Sequence, residues 1–525
     1  MDFSMYIKTI FRLFVIGTIL AGCAMSNGRW SVEDDNATTV PAAMQYGSYQ
    51  DESNHRMAVL LPMTGDAATV GHGIRTAVEM ATLSSGTDNL TVSFFDSTRG
   101  MDAIKDAISS SPEIVVGPLF AADARAMRAE KSSDLPVLAF TSDATALGDG
   151  VMTMNLMPTN SVEAIIKEMQ SDKRGGFVVI APDTESGHLL AGVADSTARI
   201  YNVSLVGAFF YTERDSESIK SATQKASMNV ARAAAHTRAR EILSDMLTDE
   251  TLTAIERSNA KMQLDKLEKN DTLGALPYDA VLFLGTGEDT KSVASFMRYF
   301  GVGARDVKFY GTAMWDGTDI MNDVTMVGAK YAALPDVNED FVNAYERVAG
   351  AKPNRLAAIG YDATNMAISM IYSDKSHAAY LLDPSGYIGA NGIVRLRPTG
   401  ESERALRIIE LNGTDTPRIV KESATDFMTP LYNIEQRHIS PLPETELQTR
   451  GVNPMDYIRI PERFRDKYRS KTYGANMIEK SNAQIMDVVS VVPEDTREAV
   501  VGQDYKPVKL SPVKQTLIDS IEVEE

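Results

Sequence analysis

Ten residues have the types and positions to line a ligand pocket: Thr64, Gly65, Phe120, Ser142, Asp143, Thr145, Asp183, Ser186, Gly187 and Trp315. A few hydroxyls and carboxylates beside an aromatic wall are what a small-molecule pocket uses. Asp143 and Asp183 each follow a short apolar run, and a carboxylate pair so placed could move protons. Capping a helix or touching a ligand is the plainer use for them. No catalytic motif accompanies them: there is no phosphate loop ending in Gly-Lys-Ser/Thr, no His-Glu-x-x-His, no Gly-x-Ser-x-Gly and no Cys-x-x-Cys. The six histidines are scattered without metal-ligand spacing, and Gly285-Thr286-Gly287 is only a fragment of a dinucleotide fingerprint. The reading is a binding protein, not an enzyme, with no cofactor and no metal.

The elements that must position these residues follow one repeated grammar between Arg56 and Thr145. Apolar runs of four to six residues end in Gly, Pro, Asp or Thr, and a helical pattern follows each. Such runs do not alternate apolar with polar, so they read as strands buried on both faces of a parallel sheet. Helical crossovers join parallel strands, and ligands sit beyond the strands' carboxyl ends. Those ends are Pro62–Gly65, Asp96–Thr98, Gly117–Phe120 and Thr141–Thr145. The grammar restarts after Gly175-Gly176, with strands expected at Phe177–Ile180, Val203–Tyr211, Tyr278–Leu284 and Val307–Gly311. The fold class is therefore α/β, two Rossmann-like lobes of parallel sheet flanked by helices, with a cleft between them.

Composition sets bounds. With 52 basic and 71 acidic residues the formal charge is −19, which argues against a nucleic-acid partner. The chain opens MDFSMYIKTIFRLFVIGTILAGC, a charged start and an apolar run too short to span a bilayer. Leu20-Ala21-Gly22-Cys23 resembles the lipobox of bacterial lipoproteins, in which the cysteine is lipidated. Cys23 is the only cysteine in the chain, so no disulfide forms within it. The resemblance implies acyl chains on Cys23, and more than one chain anchors stably. Ala24, where an aspartate would favour inner-membrane retention, leans towards the outer membrane of a Gram-negative bacterium.

Along the chain, residues 1–23 read as a lipoprotein signal peptide and 24–55 as a flexible tether. Residues 216–270 hold no Gly or Pro and are rich in helix formers. They read as two antiparallel helices, about 216–247 and 250–269, with Leu252, Ile255, Met262 and Leu267 as a partial apolar face. Gly392–Leu396 and Ala405–Leu411 read as a β-hairpin turning at Pro398-Thr399-Gly400. From 423 to 525 prolines become dense and periodicity fades, so a solvated tail is expected, with a helix near Thr516–Ile521.

The pieces AVLLPMTGDAATVGHGIRTAVEMA, VVGPLF, LPVLAFTSDATAL, YDAVLFLGTGED and AAIGYDATNMAISMI, in that order, resemble the type 1 periplasmic binding proteins. The resemblance implies lobe 1 at about 56–158 plus 335–386, and lobe 2 at about 159–334 plus 387–422. Within that family, VVGPLFAADARAM, AFTSD and the SGH after APDTE look most like the lipoprotein activators of penicillin-binding proteins. That implies a regulator of peptidoglycan synthesis with a penicillin-binding protein or other cell-wall synthase as partner. The alternative is the solute receptor of an ABC importer binding an amino acid. Relatives of that kind carry a Ser shortly after the Gly-Pro, where this chain has Ala121, and Tyr-Gly where it has Ser186-Gly187. Their Ala-Thr survives as Ala144-Thr145.

Overall fold

The computed structural model describes residues 54–470 except 304–305, 415, 428–438, 446 and 448–450. The lipobox at Cys23, nearly all of the tether and the helix expected near Thr516 lie outside the described residues. Among the described residues no helix is long and apolar enough to cross a membrane.

The first sheet is built from β1 (His55–Leu61), β2 (Leu90–Asp96), β3 (Ile114–Val116), β4 (Val137–Ala139) and β5 (Val151–Thr153), in the order β2-β1-β3-β4-β5. All its pairings are parallel. The crossovers are α1 (Ala68–Ser85), α2 (Met101–Ser109) and α3 (Ala121–Glu130). β3 and β4 are wholly buried, as continuous apolar runs require when helices cover both faces. α1 turns Gly71, Ile74, Ala77, Val78 and Ala81 inward and ends on Gly86 in the left-handed region.

The chain then passes to a second sheet through α4 (Pro158–Ser171). β6 (Gly176–Pro182), β7 (Ser204–Tyr211), β8 (Ala280–Phe283), β9 (Lys308–Gly311) and β10 (Lys330–Ala333) are its parallel strands. Their crossovers include α5 (Glu185–Tyr201), α6 (Ser216–Ala226) and α9 (Gly287–Tyr299), with α7 (Asn229–Leu247) and α8 (Ala254–Leu267) inserted before β8. After β10 the chain returns to the first sheet as α10 (Glu339–Ala349), α11 (Arg355–Ile371) and α12 (His377–Leu381). α11 lies so close to α1 that a Cβ on Gly360 would stand 2.7 Å from Ile74.

A small antiparallel sheet of β11 (Tyr387–Gly389), β12 (Gly392–Leu396) and β13 (Ser402–Arg404) leads out, and β14 (Arg407–Glu410) with β15 (Arg418–Lys421) completes the second sheet antiparallel. The fold is thus parallel α/β in two sheets, each flanked by helices.

Three local readings are corrected. The hairpin partner of Gly392–Leu396 is Ser402–Arg404, and Arg407–Glu410 pairs instead with β10. Two sheets compete for adjacent strands there, and sequence pattern does not say which wins.

The 216–247 segment is two helices, broken at Ser227 with Met228 at φ 51°. No helix breaker marks the spot. The last carbonyls of α6 are taken by side chains instead: Tyr278 donates to Ala226 O at 2.7 Å, and Arg232 to Ser227 O at 3.3 Å. So α6 covers the second sheet, and only α7–α8 form the expected helical pair, hereafter the arm. Ile255 and Met262 are exposed on it, while Leu252 and Leu267 join Ile242, Leu243 and Met246 inside.

The described part of the tail is packed where a solvated one was expected. Thr445 bridges Ala208 on β7. Ile458, Ile460, Phe464 and Tyr468, the last two on α13 (Glu462–Ser470), close the core of the α7–α8 arm. Each such burial is worth roughly 1.5–3 kcal/mol. The contacts come from residues spaced irregularly along the chain, so no period announces them.

Candidate functional site

The strand-end loops of the first sheet are braced from within. Asp96, the last residue of β2, accepts from Met63 N at 2.9 Å and Thr98 N at 3.1 Å, and from the Thr64 hydroxyl at 2.8 Å. Slight burial raises its pKa, but these hydrogen bonds outweigh it and hold the carboxyl at about 2. Thr64 and Thr98 hydroxyls also meet at 2.6 Å. Gly65, just beyond, is left-handed at φ 72°, which only glycine adopts freely.

The turn after β4 has its own brace. Asp143 accepts from Thr145 N and from its hydroxyl, at 2.9 and 2.7 Å. Arg125 on α3 donates to Asp143 at 2.8 Å and to the Thr145 hydroxyl at 3.0 Å. Desolvation raises the Asp143 pKa, but Thr145 and Arg125 together hold it below the ordinary carboxylate value. Ser142 and Phe120 are exposed beside this turn's two loops. The Gly-Pro of VVGPLF has a steric cause: a Cβ on Gly117 would stand 2.1 Å from Leu60 O.

In the second sheet, α5 abuts the end of β6, so a Cβ on Gly187 would meet Pro182 O at 2.1 Å. The same device places α1, where Gly71 would meet Pro62 O. Asp183 and Ser186 are exposed at this loop. Asp183 is tied to His188, whose Nε2 lies 2.8 Å from its carboxylate while Nδ1 lies 2.7 Å from Leu442 O in the tail. Two acceptors on one ring call for both nitrogens to carry protons. Desolvation lowers the His188 pKa, but Leu442 O and Asp183 outweigh it and raise it.

Trp315 is not a wall of this site. It is fully buried among Phe283, Phe309 and Tyr331 in the core of the second sheet, seated over Gly311, where a Cβ would stand 2.2 Å from the indole. The turn that follows β9 folds the ring inward, and the residue it leaves at the surface edge is Asp316.

Sequence reasoning did not single out the residues that join the two sheets. Arg355 at the start of α11 donates to Asp316 at 2.6 Å. Arg404 on β13 donates to Met154 O at 3.1 Å and Asn391 O at 3.3 Å, while its backbone N donates to Asn160 at 2.7 Å. Fully buried Asp362 on α11 accepts from Ala390 N at 2.6 Å and Asn391 N at 3.2 Å. Burial pushes its carboxyl up to about 6 and the Arg404 guanidinium down to about 10. A charged residue inside an apolar helix, such as Asp362 in AAIGYDATNMAISMI, was the one available signal. Among the described residues no cluster of His, Cys, Asp or Glu is placed to hold a metal ion.

Two sheets with parallel cores, each flanked by helices, with the chain passing between them three times among the described residues, define a two-lobed α/β fold. A periplasmic binding protein family model matches residues 55–373, and the chain belongs to that family. A search of curated proteins gave no match. Among solved structures, the chain is similar to a protein described as a branched-chain amino acid ABC transporter from Rhodospirillum rubrum, at 16% identity and TM-score 0.52, covering 70% of this chain and 99% of that one. It is also similar to the C-domain of LpoA from Haemophilus influenzae, a regulator of PBP1A, at 15% identity and TM-score 0.47, covering 69% and 100%. A leucine-binding protein from Thermotoga maritima matches at 16% identity and TM-score 0.42, covering 70% and 99%.

Proposed function

We propose that this chain is a lipid-anchored periplasmic regulator that activates a peptidoglycan synthase, a penicillin-binding protein, through protein contact, and that it catalyses no reaction itself. One observation carries the reading. The polar strand-end groups are already committed within their own lobes: Thr64 to Asp96 and Thr98, Asp143 and Thr145 to Arg125, and Asp183 to His188. A solute would have to displace bonds already made, and a polar group left unpaired by such an exchange is costly. Ala121, where the receptor relatives have a hydroxyl, points the same way. The lipobox at Cys23 with Ala24 supplies the outer-membrane anchor, and the α7–α8 arm adds surface for a partner.

The test is thermal unfolding of a soluble chain starting after Cys23, with a panel of amino acids and cell-wall fragments, followed by capture of purified penicillin-binding proteins. The expected result is a flat thermal response and saturable capture. A ligand at about 100 times its Kd would add roughly 2.7 kcal/mol. Such a shift with leucine, isoleucine, valine or another amino acid would replace this reading with that of an importer's solute receptor, for which Thr64, Gly65, Phe120, Ser142, Asp143, Thr145, Asp183, Ser186 and Gly187 are the cleft candidates.

A further inference from the structure

The second lobe carries a groove of about 880 Å³ that the strand-end cleft does not include. It lies where β9 and β10 begin, at the opposite end of the sheet from the braced loops. Its floor is already satisfied: buried Arg232 spends its guanidinium on Gly274 O, Ser227 O, Phe300 O and Gly301 O. Its rim is not. The side chains of Lys269 and Arg298 are exposed and make no ion pair or hydrogen bond with the described residues. Of the two rim carboxylates, Asp306 is turned onto Gly303 N at 2.9 Å, and Asp271 is exposed. Between these charges stand Tyr299 and Val324, 76% and 74% exposed, and Val327 at 44%. Unpaired cations around exposed apolar side chains fit a short peptide that mixes carboxylates with aliphatics.

We propose that this groove docks the chain's own segment Thr516–Glu525. The segment reads TLIDSIEVEE: Asp519, Glu522, Glu524 and Glu525 interleave with Leu517, Ile518, Ile521 and Val523, and it holds no cation. Its carboxylates answer Lys269 and Arg298, and its aliphatics cover Tyr299, Val324 and Val327. The reach suffices. The described chain stops at Ser470 beside the α7–α8 turn, where Arg463 donates to Thr251 O and Lys467 to Asp249. The groove is at the other end of α7, whose 19 residues span about 28 Å. The 45 residues 471–515 can extend up to about 150 Å. Tethering makes the docking intramolecular, so weak contacts suffice to keep the groove covered. The docking is independent of what the cleft or the synthase partner turns out to be.

The test uses a fluorescent synthetic peptide of residues 516–525, titrated by anisotropy against the full chain and against the same chain ended at Lys514. The shortened chain binds the peptide saturably, and the full chain binds it at least ~10-fold more weakly because its own segment competes. In the shortened chain Lys269→Glu with Arg298→Glu lowers affinity at least ~10-fold, and so does Tyr299→Ala, which covers the case where the double reversal fails to fold. A sequence-scrambled peptide binds more weakly. No binding to the shortened chain, equal binding to both chains, or equal binding of the scrambled peptide overturns the proposal. Concentration-dependent self-association of the full chain that the charge reversal abolishes also overturns it, by assigning the groove to a second copy's segment.

Discussion

Arg355 Nη2 stands 2.6 Å from Asp316 Oδ2, and this pair joins the start of α11 on the first sheet to the turn after β9 on the second. Asp316 also receives the Tyr331 hydroxyl at 3.3 Å, so it is positioned from the core of its own lobe. Arg355 is half-exposed, and exposed pairs contribute at most about 1 kcal/mol. The pair therefore acts on lobe geometry more than on stability. Arg355→Ala should leave the melting temperature nearly unchanged and broaden the interlobe distance distribution between two spin labels, one per lobe. An unchanged distribution would show that the crossings alone set the geometry.

Asp362 and Arg404 should behave in the opposite way. Both are buried, and Asp362 accepts the Ala390 and Asn391 amides; leaving such buried donors unpaired costs about 1–3 kcal/mol each. Asp362→Ala should lower unfolding free energy by that order in urea titrations. The pH dependence has a definite sign. The folded pKa, about 6, lies above the ordinary 3.8 because burial disfavours the charge. Stability from this group is thus present below pH 3.8 and is lost as pH rises through about 6. The natural chain should therefore lose stability relative to Asp362→Asn as pH rises from about 3.8 through about 6, and a flat difference would rule the titration out.

His188 holds the tail as an imidazolium, between Asp183 and Leu442 O. Its folded pKa is raised above 6.5, so its contribution is full below pH 6.5 and fades as pH rises through the folded value. Protease cleavage near Ser440–Thr445 should therefore speed up as pH rises from 6.5 through the folded value. His188→Ala should cleave fast at every pH, and a pH-independent rate in the natural chain would contradict the account.

Gly117→Ala should destabilise through two terms. A Cβ would stand 2.1 Å from Leu60 O, and the backbone sits at φ 100°. Overpacking costs about 1–3 kcal/mol and a side chain in this backbone region about 1–2. Thermal unfolding would reveal it, and an unaffected melting temperature would mean that the loop after β3 relaxes freely.

Phe464→Ala should expose the α7–α8 arm. The ring is buried against the arm's core, and truncating such a ring costs about 3–5 kcal/mol. Amide exchange should quicken in α7 and α8 while the sheets stay protected. Uniform quickening throughout would show that the arm and the lobe unfold together.

The parallel sheets were legible because doubly buried strands leave unbroken apolar runs, and because strand ends are marked by Gly, Pro, Asp and Thr. The glycines that let helices abut strand ends, Gly71 and Gly187, sit inside motifs that the sequence displays. The loops carrying Thr64, Asp143 and Asp183 were legible for the same reason, since their placement depends on neighbours in sequence. What those side chains do was not. Arg125 reaches Asp143 across 18 residues and Arg355 reaches Asp316 across 39, and no local pattern encodes such pairings. Trp315 shows the limit most plainly. Its position after a strand suggested a cleft wall, yet Gly311 leaves a vacancy beneath it and the ring turns into the core. Periodicity and turn chemistry are local and survive in the sequence alone. The fate of a side chain at a strand end, the end of α6 at Ser227, and the lodging of the tail on β7 are settled by which distant groups satisfy the exposed polar atoms, and only the tertiary structure brings those groups together.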